Sequence, residues 1–216
     1  MNTILTIGRT FGSGGHDIGK KLAESFNIPF YDKELLAKAA KDSGLCEEVM
    51  KDYDERPTSS FLYNLVMDSY FFARSASQHY EMPVTDRVFL AQFDAIKKIA
   101  GEGPCVIVGR CADYALQDFE NVLDIFIYGK KEDRIKRVME RFPDLENEDK
   151  AWELIRRKDK QRKSYYDYYS SNKWGQVDTY DLSVDSSILG IDGSVKLIMQ
   201  FVEDYEGRAS DSFEVN

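Results

Sequence analysis

The chain has 216 residues, 43% of them hydrophobic and 31% charged, which is the balance of a globular domain rather than of a disordered or fibrous chain. Its formal net charge of −9 argues against a nucleic acid partner, because binding to a phosphate backbone needs a basic face. The three cysteines lack metal-ligand spacing, and no apolar run reaches the roughly 20 residues of a membrane span, so we expect no built-in metal site, no membrane contact and a cytoplasmic location.

Five short apolar runs predict the strands of a parallel sheet. Most of them lack the alternation of polar and apolar residues that marks a half-buried strand, as expected when both faces of a strand are covered. In chain order the runs are Thr3–Ile7, Ile28–Tyr31, Cys105–Val108, Val122–Tyr128 and Tyr180–Asp185.

Helical patterns fill the spaces between these runs. After the first run, Ile18, Leu22 and Phe26 recur at a spacing of four and so share one face of a helix. Strands that alternate with helices predict an α/β fold, with a parallel five-stranded sheet and helices on both faces. The further predicted helices are Lys33–Lys41, Phe89–Ile99, Glu132–Phe142, Glu148–Lys163 and Ser194–Tyr205.

Three segments depart from this alternation. Residues 46–82 are rich in Tyr, Phe, Met and Ser without a buried-strand run, and we interpret them as a helical insertion. Residues 156–175 are basic and then aromatic. We favour internal packing for their tyrosines, and base stacking by a mobile lid and a homo-oligomer surface stay open as alternatives. The small, polar residues 207–216 predict a disordered tail behind a single domain formed by residues 1–206.

A glycine-rich loop follows the first apolar run. Residues 9–14 have the sequence Arg-Thr-Phe-Gly-Ser-Gly, and the amphipathic helix comes directly after them. Glycines let backbone N–H groups approach a ligand, and a helix start adds unbonded N–H groups and partial positive charge. The pattern favours an anion site, most often for phosphate, rather than a tight turn that binds no ligand. The predicted phosphate-binding residues are Arg9, Gly12, Ser13, Gly14, Gly15, His16 and Asp17.

Two alignments to the phosphate-loop pattern G-x-x-x-x-G-K-[ST] are open. In the first, the helix starts near Gly15, so glycine stands where lysine is usual and His16 stands where Ser or Thr is usual. In the second, Gly19 and Lys20 complete the pattern, but the helix then starts too late to include Ile18. We favour the first alignment, which requires that another group meets the phosphate. The candidates are Arg9, Lys20, Lys21 and His16.

Beyond the loop, several stretches resemble motifs of the cytidylate kinase family, and more closely of its cytidylate kinase-like branch. The resemblance extends over nearly the whole chain, to about Tyr205. Each motif is weak alone, but their order and spacing together are specific. The stretches are Phe30-Tyr31-Asp32, Arg87-x-x-Leu90, Val106-Ile107-Val108-Gly109-Arg110, Phe126-Ile127-Tyr128 with Glu132–Arg137, Lys158-Asp159 with Arg162, and Tyr180–Asp185.

The resemblance implies a three-layer P-loop NTPase-like fold and a kinase that uses ATP and Mg²⁺ to phosphorylate CMP or a related small acceptor. It implies that Asp32, Arg87 and Arg110 meet the acceptor. It also implies that Arg157 and Arg162 come from an arginine-rich lid, over residues 156–175, onto the transferring phosphoryl group. Arginines suit this role because they stay charged and bind two oxygens at once.

Three further charged residues have more open roles. By the same resemblance, Arg134 and Arg137 lie on a helix face, where they would support the lid or the donor side of the site. Asp17 either complements the positive end of its helix or holds magnesium through water.

Two departures from the family pattern keep other functions open. Gly15 replaces the usual lysine, and Cys111 stands where the family has an acid after Gly-Arg, with the next acid at Asp113. The alternatives are a P-loop module that binds a nucleotide or anion without efficient turnover, and a kinase of a non-nucleotide metabolite. In each case the expected partners are nucleotides or small phosphorylated molecules.

Overall fold

The structure is a computed structural model that describes residues 1–32 and 83–213. Within them, the strands are β1 (Ile4–Arg9), β2 (Phe30–Tyr31), β3 (Val106–Val108), β4 (Val122–Tyr128) and β5 (Leu182–Asp185). The helices are α1 (Gly15–Phe26), α2 (Val84–Glu102), α3 (Ala112–Ala115), α4 (Lys131–Arg141), α5 (Glu148–Tyr169) and α6 (Ser186–Phe213), with a 3₁₀ turn at Val177–Thr179.

The strands form one sheet in the order β2-β3-β1-β4-β5, and every pair is parallel. β1 lies at the centre, where Leu5 stands opposite Val106 of β3 and Leu123 of β4. The carboxyl ends of β1, β2 and β3 therefore meet at one edge, and ligand sites of open parallel sheets lie outside that edge. The prediction of a five-stranded parallel sheet is confirmed.

Hydrophobic side chains cover both faces of the sheet. On one face, Ile7 packs with Ile18 of α1 and Ile198 of α6, and all three are fully buried. On the other face, Ile4 packs with Ile96 of α2. Ile4 and Ile7 face opposite sides because neighbouring residues of a strand alternate between its faces. The predicted helices on both faces are confirmed.

α5 continues past Lys163, where the predicted helix ends. Asn147 begins the helix by accepting the Lys150 N–H at 3.0 Å. The charged pattern stops at Lys163, but Tyr165, Tyr166 and Tyr169 each bury more than nine-tenths of their surface. The same helix therefore leads from a charged surface into an aromatic core, and residues 156–169 of the predicted lid belong to it.

α6 changes direction at Gly190, whose φ of +66° lies outside the helical range. It then continues to Phe213, into the segment 207–216 for which the composition predicts a disordered tail. Glu206 ties this part of the helix to the start of β1, because its Oε1 accepts the Asn2 N–H and the Thr3 hydroxyl, both at 2.7 Å.

Two predicted elements lie outside the described residues. They are the helix over Lys33–Lys41 and the helical insertion over residues 46–82. Among the helices that the structure describes, none is long and apolar enough to cross a bilayer.

Gly101 and Gly103 allow a matched test of backbone conformation at the end of α2. A Cβ built at either glycine meets nothing within 4 Å, so neighbouring side chains do not distinguish them. Gly101 is helical, whereas Gly103 has a φ of +137° and a ψ of −168°, a region that side chains rarely allow.

We expect Gly101→Ala to raise the free energy of unfolding by about 0.5–1 kcal/mol, because alanine loses less entropy in a helix. We expect Gly103→Ala to lower it by about 1–3 kcal/mol through backbone strain. Urea denaturation measures both changes in the free energy of unfolding. Equal changes in the two variants would contradict the backbone conformations of Gly101 and Gly103 at the end of α2.

Candidate functional site

The loop between β1 and α1 has the geometry that the first alignment requires. α1 begins at Gly15, and Gly12 and Gly14 are both left-handed, with φ of +79° and +80°. In the part of the chain that the structure describes, no hydrogen bond engages the amide N–H groups of Gly12, Gly14, His16 and Asp17. Donors grouped at the positive end of a helix are suited to an anion.

Ser13 shapes the loop from inside. Its side chain is fully buried, and its hydroxyl donates to Thr10 O at 2.8 Å. Its N–H donates to the same carbonyl at 3.3 Å. Both donors of Ser13 are thus used within the loop. By contrast, Thr10 Oγ1 is buried without a hydrogen-bond partner among the described residues.

Arg137 of α4 holds the loop from behind. Its Nη1 donates to Ser13 O at 3.2 Å and to Gly12 O at 3.4 Å, and its Nη2 donates to Ser186 O at 3.2 Å. The hydroxyl of Ser186 also donates to Ser13 O, at 2.6 Å. Because these carbonyls are bound on the α4 side, the loop turns its N–H groups toward the open side.

Arg134 and Asp159 bind the backbone of Phe11 at both ends. Arg134 Nε donates to Phe11 O at 2.8 Å, and its Nη2 is paired with Asp159 Oδ2. Asp159 Oδ1 accepts the Phe11 N–H at 2.7 Å. An ion pair between α4 and α5 therefore fixes the middle of the loop.

Asp32 joins the loop to the turn after β3. Its Oδ1 accepts Arg110 Nη1 at 2.9 Å, and its Oδ2 lies 3.3 Å from His16 Nε2. Burial acts to raise the pKa of Asp32, but the charges of Arg110 and Arg9 outweigh it and hold that pKa below its usual value. Asp32 is therefore a carboxylate at neutral pH, and His16 takes part in this network.

The turn after β3 holds Arg110 in a strained backbone conformation. Gly109, Arg110 and Cys111 are all left-handed, with φ of +77°, +57° and +53°. For each of the two non-glycine residues this conformation costs on the order of 1–2 kcal/mol. The Arg110 guanidinium is further fixed by Val108 O at 3.2 Å. Strain that the surrounding contacts maintain is concentrated at functional sites.

A cleft opens under α5, at the carboxyl ends of β1 and β3. Three of the predicted arginines line it: Arg9, Arg110 and Arg162. Arg162 reaches the cleft from α5, and its Nη1 donates to Arg9 O at 3.2 Å. The structure thus brings the start of the loop, the strained turn and the lid arginine to one place.

Asp113 and Tyr166 form a pair in this cleft to which the sequence analysis assigns no role. The Tyr166 hydroxyl donates to Asp113 Oδ2. Burial raises the pKa of Asp113, although the hydrogen bond from Tyr166 acts against it. Burial and the neighbouring Asp113 raise the pKa of Tyr166, so its phenol stays a protonated donor. The signal in the sequence was that Asp113 is the first acid after Gly109-Arg110.

Arg157 and Arg87 lie away from the cleft. Arg157 is on the exposed side of α5, and Arg87 is exposed in the first turn of α2. The residue before Arg87, Asp86, is instead 4% exposed and accepts the Tyr169 hydroxyl at 2.9 Å. Within residues 1–32 and 83–213, no group of three or more His, Cys, Asp or Glu side chains is arranged to hold a metal ion.

Asp124 lies in β4 on the sheet face below the cleft. Its Oδ1 accepts the hydroxyl of Thr6, a cleft-lining residue, at 2.5 Å. Burial raises the pKa of Asp124 to about 7, the Thr6 hydrogen bond opposes this, and the charges of Asp113 and Asp181 add to it.

Comparison with known protein families identifies the chain. The model described as the cytidylate kinase-like family matches residues 4–188, which is most of its length. The chain belongs to the cytidylate kinase-like family. In this cytidylate kinase-like protein, the phosphate loop, Asp32 and Arg110 all fall within the matched residues. No curated protein matches the chain closely enough to count as a relative.

Solved structures show the same fold. An uncharacterized protein from Eubacterium ventriosum is 33% identical, with a TM-score of 0.70, and the match covers 93% of this chain and 98% of that one. A shikimate kinase from Bacteroides thetaiotaomicron is 13% identical, with a TM-score of 0.51 and 94% and 99% coverage. The cytidylate kinase-like protein thus has the three-layer fold of P-loop kinases.

The raised pKa of Asp124 predicts a pH-dependent stability that Asp124→Asn removes. Between about pH 4 and pH 7 the folded protein binds the proton more tightly than the unfolded chain, so stability falls as pH rises through this window. The free energy of unfolding falls by about 1.4 kcal/mol for each unit by which the pKa is raised. The asparagine stays neutral and keeps the oxygen that accepts from Thr6.

We therefore expect Asp124→Asn to be more stable than the wild type at pH 8, and the difference to shrink toward pH 5. Urea denaturation at both pH values measures it. Glu203→Gln is the control, because it removes one negative charge, as Asp124→Asn does, but from an exposed side chain. A stability difference that does not change with pH would contradict the burial argument.

Proposed function

We propose that this protein is an ATP-dependent phosphotransferase that acts on a small anionic acceptor. One observation carries the proposal: Arg9, Arg110 and Arg162 line a single cleft beside a phosphate loop, in a chain of net charge −9. Phosphoryl transfer depends mostly on positioning and on neutralisation of charge. Cations gathered at one point of an acidic protein serve both needs.

The donor phosphates are assigned to the loop. The N–H groups of Gly12, Gly14, His16 and Asp17 would donate to their oxygens. Mg²⁺ fits this assignment, because it is usually bound by one or two carboxylates together with phosphates and waters, and Asp17 is exposed in the first turn of α1. Bound there, the ion would neutralise phosphate charge during transfer.

An apolar surface borders the loop on the donor side. The side chains of Tyr128, Ile188 and Leu189 are exposed there. The Lys130 N–H donates to Ser187 Oγ at 2.8 Å, which holds the turns after β4 and β5 together. An adenine ring fits such a surface, because ligand sites combine apolar contact area with a few fixed polar groups.

The acceptor is assigned to the cleft. Arg110 presents a guanidinium fixed by Asp32, and Arg162 approaches from α5. CMP is the first acceptor to test, because the protein belongs to the cytidylate kinase-like family. A nucleoside monophosphate carries about two negative charges, which two bidentate arginines neutralise.

One observation favours an alcohol acceptor, that is, a kinase of a non-nucleotide metabolite. Cys111 stands in place of the family's acid, and Asp113 lies in the cleft with a raised pKa. A hydroxyl acceptor loses its proton when it is phosphorylated, and a nearby carboxylate can accept that proton. A phosphate acceptor needs no such base.

The partners in this proposal are small molecules. We place the reaction in the cytoplasm, where ATP is abundant and thiols such as the buried Cys105 and Cys111 stay reduced.

Calorimetric titration with ATP and Mg²⁺, followed by an assay of ADP release, tests the proposal. We expect ATP to bind, and ADP release to depend on an acceptor. The acceptor panel contains CMP, other nucleoside monophosphates, and phosphorylated or carboxylated alcohols. ATP binding without acceptor-dependent release would instead identify a nucleotide-binding module, the alternative that Gly15 leaves open.

Arg162→Ala and Arg157→Ala form a matched pair on α5. Arg162 lines the cleft, whereas Arg157 is exposed. We expect Arg162→Ala to lower kcat by roughly 10²-fold or more, as for other arginines that neutralise a transferring phosphoryl group. We expect Arg157→Ala to leave kcat nearly unchanged. Steady-state kinetics decide, and an equal loss in both variants would show that the arrangement in the structure is not the reacting one.

Arg110→Lys tests acceptor binding without unpairing the buried Asp32. Lysine keeps the charge but loses the second arm of the guanidinium, so we expect the acceptor KM to rise by about tenfold. The Kd for ATP should stay the same, because the donor phosphates are assigned to the loop. A rise in both constants by the same factor would remove the separate role of Arg110.

A further inference from the structure

Glycine at position 15 is required by a neighbouring side chain rather than by its own backbone. Gly12 and Gly14 have positive φ, which favours glycine, but Gly15 has none and begins α1 as an ordinary helical residue. A Cβ built on Gly15 would lie 2.6 Å from Arg9 Cβ and 3.2 Å from Arg9 Cγ. No side chain can occupy position 15 while Arg9 holds its present place.

The residues at these two positions are the reverse of the usual phosphate loop. In the pattern G-x-x-x-x-G-K the first position is glycine and the seventh is lysine. Here the first position is Arg9 and the seventh is Gly15, with Gly14 in its expected place between them. We therefore treat the missing lysine and the extra arginine as a single exchange. Glycine at position 15 leaves room for the side chain of Arg9, just as glycine at position 9 would leave room for a lysine at position 15.

Four other described cations near the loop have different positions. Arg137 and Arg134 bind carbonyl oxygens of the loop from the α4 side. Lys21 is exposed and lies 2.6 Å from Asp192, and Lys20 is exposed on α1. Arg9 differs from them because it is the last residue of β1 and lines the cleft where the loop begins.

We propose that Arg9 supplies the positive charge that lysine supplies in other phosphate loops, and that Gly15 keeps the space for it. The inference rests on the proposed function and names the cation of that site. Arg9 is among the residues that line the cleft with Arg110 and Arg162, and its charge helps to hold the pKa of Asp32 below its usual value, so its guanidinium lies near the end of β2. A guanidinium stays protonated and binds two phosphate oxygens, which makes the exchange chemically sound.

A cycle of variants tests the exchange, with ATP and inorganic tripolyphosphate as probes in calorimetry. We expect Arg9→Ala to weaken the binding of both probes by roughly ten- to hundredfold, the size expected for one charged hydrogen-bonding group. We expect Gly15→Lys alone to bind no better than the wild type, because its Cβ meets Arg9.

Two double variants separate charge from space. Arg9→Gly with Gly15→Lys restores the usual pattern and removes the contact at 2.6 Å, so binding should return toward the wild type. Arg9→Ala with Gly15→Lys differs by one methyl group, which keeps the Cβ contact, so binding should stay weak. Lys196→Ala serves as the control, because this lysine is exposed on α6 and has no assigned role, so binding should stay unchanged.

The outcomes decide between distinct conclusions. Wild-type affinity in Arg9→Ala, or equal affinity in the two double variants, overturns the inference. Thermal unfolding of each variant identifies loss of the fold, and Arg9→Ala decides alone if Gly15→Lys does not fold. If the wild type binds tripolyphosphate but never turns over ATP, the proposed function fails while the cycle still decides the role of Arg9. If it binds neither probe, the inference fails as well.

Discussion

The direction of the peptide groups in one loop is the constraint on which the site depends. Arg137 binds the carbonyl oxygens of Gly12 and Ser13, and Asp159 accepts the N–H of Phe11. With these groups held from behind, the remaining N–H groups at the start of α1 face the open side. Because a hydrogen bond with a charged partner is stronger than one between neutral groups, the anchors favour a single loop conformation.

α5 connects this loop to the cleft. Asp159 contacts the loop backbone, Arg162 donates to the end of β1, and Tyr166 donates to Asp113 of the turn after β3. The spacings of three and four residues put these side chains on one face of the helix. A shift of α5 along its axis would therefore change the loop, the arginine cluster and the far wall of the cleft together. This is why we treat the loop and the cleft as one site.

Much of the fold and part of the site could be predicted from the sequence. Apolar runs that alternate with helical patterns give a parallel sheet, and such a sheet brings the carboxyl ends of its strands to one edge. That reasoning placed the phosphate loop after a buried strand, and the spacing of Ile18 fixed the start of α1 near Gly15, whereas the roles expected of Asp32 and Arg110 came from the resemblance to the cytidylate kinase family. The first two conclusions depend on local periodicity or on strand order, which the sequence alone determines.

Only the tertiary structure decided which side chains enter the cleft. Arg157 and Arg162 are five residues apart, about 140° around a helix with 3.6 residues per turn, and only the packing of α5 shows which one faces inward. The pairing of Asp113 with Tyr166 joins residues 53 positions apart, which no local pattern encodes. The same holds for Gly15: its sequence position shows that a lysine is missing, but only the contact with Arg9 shows why no side chain fits there.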